Sequence, residues 1–84
     1  MELVIGGAGF IGVNLSKTLL DQGKEIIVLD NFSRKGTRQN FSWLKKNHSQ
    51  VKLVEADIRT DQNELESTIK GAQTVYHMAA QVAV

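Results

Sequence analysis

Apolar residues in this chain come in short bursts, and the bursts alternate between two spacings. Leu3, Val4 and Ile5 are consecutive. From residue 11 the spacing widens: Ile11, Leu15 and Leu19 recur at every fourth position, with Leu20 beside the last. A continuous run returns in Ile26-Ile27-Val28-Leu29. Short unbroken runs suit strands buried on both faces of a parallel sheet, whereas the wider spacing marks one face of a helix. The pattern predicts a strand at Glu2–Ile5, a helix at 10–22, a strand at 25–30 and a polar loop at 31–36. A second helix follows at 37–46, with Phe41 and Leu44 at i,i+3, then a strand at 51–55. Asp61-x-x-Glu64 reads as a capping box for a helix through Ile69, with Leu65 and Ile69 facing inward. A strand at 74–78 closes the series. Gly23 stands where the first helix needs a left-handed residue to stop, and Gly71 ends the third. Such alternation of strand and helix means a parallel α/β sheet. The expected architecture is the N-terminal half of a Rossmann-type doubly wound sheet, β-α-β-α-β-α-β, in strand order 3-2-1-4.

The first strand runs straight into glycines at 6, 7, 9 and 12, and the first helix follows at once. Strand, glycine turn and helix in that order make a dinucleotide-binding motif. A helix N-terminus carries free N–H groups and partial positive charge, so it attracts a pyrophosphate. Glycine lets the phosphate approach the backbone and the helix sit close to the strand. Two registers fit: Gly7-x-Gly9-x-x-Gly12, and the wider Gly6-x-x-Gly9-x-x-Gly12. The plain alternative is a glycine turn with no ligand.

Asp30 ends the second strand about 18 residues beyond Gly12, near the spacing of about 20 at which an acidic residue bonds the adenosine ribose hydroxyls. Its charge repels a 2′-phosphate, which favours NAD. Arg34, Lys35 and Arg38 leave a second reading open: acceptance of a 2′-phosphate, stacking on adenine, or a merely solvated loop. Asp57 and Ile58 follow the third strand, where a carboxylate can accept from an adenine amine and an aliphatic side chain can pack on the ring. A turn Asp before a helix is the simpler alternative.

The chain has 84 residues, enough for one small domain. Net charge is +1, which makes no electrostatic case for nucleic acid or an anionic membrane. Absence of cysteine excludes disulfides, thiolate catalysis and cysteine-ligated zinc, and it fits a reducing cytoplasm. No apolar run approaches a membrane span, and no signal peptide is visible. His77, between apolar residues, reads as a core residue and His48 as solvated; their spacing makes no metal site. Tyr76 has Ala80, not Lys, four residues on, so it reads as packed. Trp43 and Phe41 read as a helix face against the sheet. No catalytic residue is expected within the chain.

Gly6-Gly7-Ala8-Gly9-Phe10-Ile11-Gly12, Asp30-Asn31-Phe32-Ser33-Arg34, Asp57-Ile58-Arg59 and His77-Met78-Ala79-Ala80 together resemble the extended short-chain dehydrogenase/reductase superfamily, in its nucleotide-sugar epimerase/dehydratase branch. Residues 30–36, Trp43-Leu44 and Gln81-Val82-Ala83 are similar to stretches of the branch that epimerises CDP-linked sugars. The resemblance implies that Gly6, Gly9, Phe10, Ile11 and Gly12 hold the pyrophosphate of NAD. It implies that Asp30, Asn31, Ser33 and Arg34 hold the adenosine ribose and adenine edge, and that Asp57 and Ile58 hold adenine. Ala79, Ala80 and Gln81 would line the middle and nicotinamide side. Ile5 stands where the family usually has Thr. The family's Ser/Thr and Tyr-x-x-x-Lys do not occur here, nor does its sugar-nucleotide domain, so the chain reads as an N-terminal portion of such an epimerase, inactive alone. A non-catalytic nucleotide-binding module, or a truncated frame without function, are the other readings. The apolar run from Ala79 to Val84 and an open fourth strand lead to an expectation of self-association.

Overall fold

The computed structural model describes residues 1–6, 8–33 and 35–78. Its elements are β1 (Glu2–Ile5), α1 (Phe10–Asp21), β2 (Ile26–Asp30), α2 (Thr37–Asn47), β3 (Lys52–Glu55), α3 (Gln62–Lys70) and β4 (Thr74–His77). The strands form one four-stranded parallel sheet in the order β3-β2-β1-β4. This is the α/β arrangement expected for the N-terminal half of a Rossmann-type fold.

Alternate strand residues point to opposite faces, and each face carries its own core. On one side Val4 and Val28 pack with Val13, Leu19 and Leu20 of α1 and with Leu44 of α2. On the other, Leu3, Ile5 and Leu29 pack with Ala56 and with half-buried Leu65 of α3. Full burial of each such aliphatic side chain contributes about 1.5–3 kcal/mol. Helices α1 and α2 thus cover one face and α3 the other. The chain winds outward from β1 to β3, then returns under the sheet to β4. The winding reverses between the paired strands β1 and β4, and ligands bind outside the carboxyl ends of strands at such a point.

Several expectations are corrected. The capping box does not form: Asp61 makes no side-chain cap, and its Oδ2 instead accepts the Asp57 N–H at 2.7 Å. Leu65 is half-buried, but Ile69 is 39% exposed and α3 has no buried residue. Trp43 is 45% exposed rather than packed; half-buried Phe41 meets Phe32 edge-on at 6.2 Å. His48 is not simply solvated, since its Nε2 lies 2.9 Å from Asp21 Oδ1 and joins the ends of α2 and α1. His77 is exposed, not core, because β4 has a strand neighbour on one side only among the described residues. Tyr76 is half-buried and donates its hydroxyl to Glu2 Oε1 at 3.1 Å. The first helix stops one residue early, with Gln22 as its cap and Gly23 left-handed at φ 82°. Glu25, Val51 and Met78 fall outside the strands.

Candidate functional site

The glycine turn begins as a continuation of the sheet. Gly6 donates its N–H to Leu29 O at 2.7 Å, then turns at φ 79°, a left-handed conformation open to glycine. Gly9 donates its N–H back to Gly6 O at 3.2 Å. Gly9 itself is extended (φ −71°, ψ 170°) and caps α1 with no side chain. The first helical bond runs from Val13 N–H to Gly9 O at 2.8 Å. The N–H groups of the preceding turn therefore have no intrahelical acceptor and sit at the positive end of the helix. Phe10 and Ile11, at this end, are 79% and 59% exposed, while Gly12 is buried.

The end of β2 reaches the same turn. Asp30 is nearly buried, and its carboxylate spans two backbone donors. Oδ2 accepts Ala8 N–H at 3.1 Å, and Oδ1 accepts Phe32 N–H at 2.8 Å. From α2, Asn40 donates Nδ2 to Ala8 O at 2.9 Å. Beyond Asp30, Asn31 Oδ1 accepts Ser33 N–H at 3.0 Å, and Asn31 Nδ2 reaches Asp57 Oδ2 at 3.4 Å. Phe32 has a left-handed backbone, φ 58°. The Arg38 guanidinium lies 4.6 Å from the centre of the Phe32 ring and pairs with Glu55 at 2.8 Å.

Asp57 follows β3 and gathers donors. Its Oδ1 accepts Arg59 N–H at 2.8 Å and Arg59 Nε at 3.1 Å, and its Oδ2 accepts the Arg59 terminal nitrogen at 2.8 Å. The Arg59 side-chain bonds, then its backbone N–H, hold the Asp57 carboxyl well below the usual carboxylate range, against a smaller opposing effect of burial. The group is ionised at any ordinary pH.

These segments enclose one cavity of about 800 Å³ at the carboxyl ends of the strands. Gly6, Gly9, Phe10, Ile11, Gly12, Asp30, Asn31, Ser33, Asp57 and Ile58 all line it. So do Thr37, Arg59, His77 and Met78, to which the sequence reading assigned no binding role. Arg59 had a signal in the Asp57-Ile58-Arg59 run. His77 and Met78 had one in the His77-Met78-Ala79-Ala80 run, and Thr37 had none, because only the fold brings it to this edge. Arg34, Ala79, Ala80 and Gln81 lie outside the described residues, as does Gly7. Among the described residues no cluster of acidic or histidine side chains has a metal-binding arrangement. None of their helices is long and apolar enough to cross a membrane.

Comparison with known proteins bears on the family and the fold. The sequence model of the GDP-mannose 4,6 dehydratase family matches residues 3–84. CDP-paratose 2-epimerase of Salmonella typhi is 39% identical over 84 residues, covering 98% of this chain and 24% of that protein. The Bordetella bronchiseptica enzyme WbmG, solved in complex with NAD and UDP, superimposes with a TM-score of 0.76 at 33% identity, over 99% of this chain and 26% of that one. The UDP-Glc/GlcNAc 4-epimerase of Campylobacter jejuni gives a TM-score of 0.83 at 31% identity, over 99% and 25%. The chain spans about a quarter of the length of these relatives. By sequence and by fold it belongs to the GDP-mannose 4,6 dehydratase family of nucleotide-sugar epimerases and dehydratases, within the extended short-chain dehydrogenase/reductase superfamily.

Proposed function

We propose that this chain holds the adenosine and pyrophosphate end of NAD for a nucleotide-sugar epimerase similar to CDP-paratose 2-epimerase. One observation carries the reading: separate stretches around Gly9, Asp30 and Asp57 converge on a single cavity beside an uncapped helix N-terminus. The residues suit the cofactor. A Cβ on Gly9 would make only an ordinary contact, with Gly6 O at 3.5 Å, so the fold itself does not demand glycine there, and its absence of a side chain leaves room for a phosphate. N–H groups at the start of α1 would donate to the pyrophosphate. Asp30 retains lone pairs beyond its two backbone bonds, which would accept from the ribose hydroxyls, with Asn31 and Ser33 beside it. Ionised Asp57 would accept from the adenine amine in place of its long 3.4 Å bond from Asn31, while Ile58 packs on the ring. Arg34 would complete the ribose edge, and Ala79, Ala80 and Gln81 the nicotinamide side.

NAD, when bound, would take a hydride from a sugar carbon and return it to the opposite face. This chain's contribution is to bind and orient the cofactor. A UDP-sugar 4-epimerase, favoured by the Campylobacter jejuni likeness, or a 4,6-dehydratase is a second reading; turnover of CDP-sugar against UDP-sugar by a protein that carries this stretch together with the family's Tyr-x-x-x-Lys separates the two epimerases. A non-catalytic nucleotide-binding module is the remaining alternative, marked by cofactor binding without turnover even in a protein that carries this stretch with a Tyr-x-x-x-Lys. A cytoplasmic location belongs to the same proposal and is checked by cell fractionation. Calorimetric titration tests the core of it. NAD is expected to bind at least about tenfold more tightly than NADP, about 1.4 kcal/mol, because Asp30 repels a 2′-phosphate and Arg38 is engaged by Glu55. Tighter NADP binding would overturn the assignment.

A further inference from the structure

We propose that Asn40 is a positioning residue that fixes the glycine turn in its phosphate-receiving shape. The inference rests on the reading that this turn receives a pyrophosphate. Ala8 is fully buried between the glycines, and both of its backbone polar groups are held by side chains from distant elements. Asp30 at the end of β2 takes its N–H, and Asn40 in the first turns of α2 supplies a donor to its C=O. The peptide joining Ala8 to Gly9 is thus pinned at both ends: Asn40 Nδ2 lies 2.9 Å from its oxygen, and its N–H is 3.2 Å from Gly6 O. That second bond turns the Gly9 N–H inward. Donation to a phosphate then falls to the N–H groups that follow, at Phe10, Ile11 and Gly12.

Glycines have no side chain with which to hold a turn, and their backbone freedom is the largest of any residue. A turn of this composition needs external anchors if its donors are to be aimed before the ligand arrives. Asp30 is one anchor, but it also faces the cavity. Asn40 does not touch the proposed ligand positions and acts only through the turn. Its own backbone N–H bonds Gly36 O at 3.0 Å within the first turn of α2, so its side chain joins the start of α2 to the phosphate turn.

The test compares adenosine, which has no phosphate, with ADP. Loss of one hydrogen-bond donor to a part-buried carbonyl corresponds to about a tenfold change. Asn40→Ala is expected to weaken ADP binding by about tenfold and adenosine binding less than about twofold, with both read by calorimetry or NMR titration. Asn40→Asp, close in size but without the donor, makes the same comparison where packing is preserved. Asn40→Gln, which keeps an amide donor, is expected to restore part of the ADP affinity. A fall shared equally by adenosine and ADP, or no fall, overturns the positioning role while leaving the dinucleotide reading intact. Failure of the unaltered protein to bind ADP overturns both.

Discussion

Two glycines of the turn have different physical reasons for being glycine, and their replacement is expected to fail in different ways. Gly6 lies at φ 79°, where a Cβ costs about 1–2 kcal/mol. Gly6→Ala should therefore lower the unfolding free energy by about that amount in chemical denaturation. Gly9 is extended and its Cβ would meet no closer atom than Gly6 O at 3.5 Å, so no backbone strain arises there. Gly9→Val should leave the circular-dichroism spectrum unchanged yet lower NAD affinity by about tenfold or more, since the side chain fills the space beside the helix N-terminus. Asp57 supports a pH prediction. Its folded-state pKa is depressed by Arg59, so its contribution to stability is complete above the unfolded value of about 4 and is lost as pH falls through the lower folded value. Arg59→Gln should move the Asp57 carboxyl titration back up toward about 4 in a carbon-detected NMR experiment; an unmoved titration would contradict the assignment of cause. Spacing along the chain was enough to single out Asp30. Its second task, holding the Ala8 N–H, was not legible, because the donor is brought to it only when β1 and β2 pair.

Among the elements, α1 was readable from its apolar repeat and from Gly23, and it is where the structure shows an unused polar atom. Ser16 is fully buried, and its Oγ has no hydrogen-bond partner among the described residues. Ser16→Ala removes that desolvated hydroxyl and adds helix propensity, so it should raise stability by about 1 kcal/mol in urea titration. Unchanged or lower stability would mean the hydroxyl is satisfied in solution. Helix α3 was the least legible element. Asp61 and Glu64 have the spacing of a capping box, but spacing does not report competition. The Asp57 N–H claims the Asp61 carboxylate first. Trp43 misled for a related reason: an aromatic at an amphipathic position suggests packing, yet Leu44 takes the buried face of α2 and Trp43 lies beside it in the open.

For the whole molecule, strand order followed from the alternation of elements, because parallel crossovers leave few alternatives. Exposure did not follow from it. Leu53, Ile69 and Val75 are 38–39% exposed, and β3 and β4 each have a strand partner on one side only among the described residues. Unpaired parallel edges with apolar side chains invite pairing with a second copy. Sedimentation of the 84-residue chain is therefore expected to show concentration-dependent association, and Val75→Lys is expected to weaken it. A concentration-independent monomer would refute this.

The Asp30 carboxylate also limits how such a protein can diverge. Its two oxygens serve two separate backbone donors, Ala8 N–H and Phe32 N–H. An amide at this position offers one acceptor oxygen and so satisfies only one of them; an aliphatic or basic residue satisfies neither. Removing the negative charge to admit a 2′-phosphate would thus leave a buried N–H stranded in the same step. A lineage or an engineer seeking to change the nucleotide it accepts would have to supply a new partner for Ala8 before altering Asp30, so the shortest mutational route to a different cofactor runs first through the architecture of the loop.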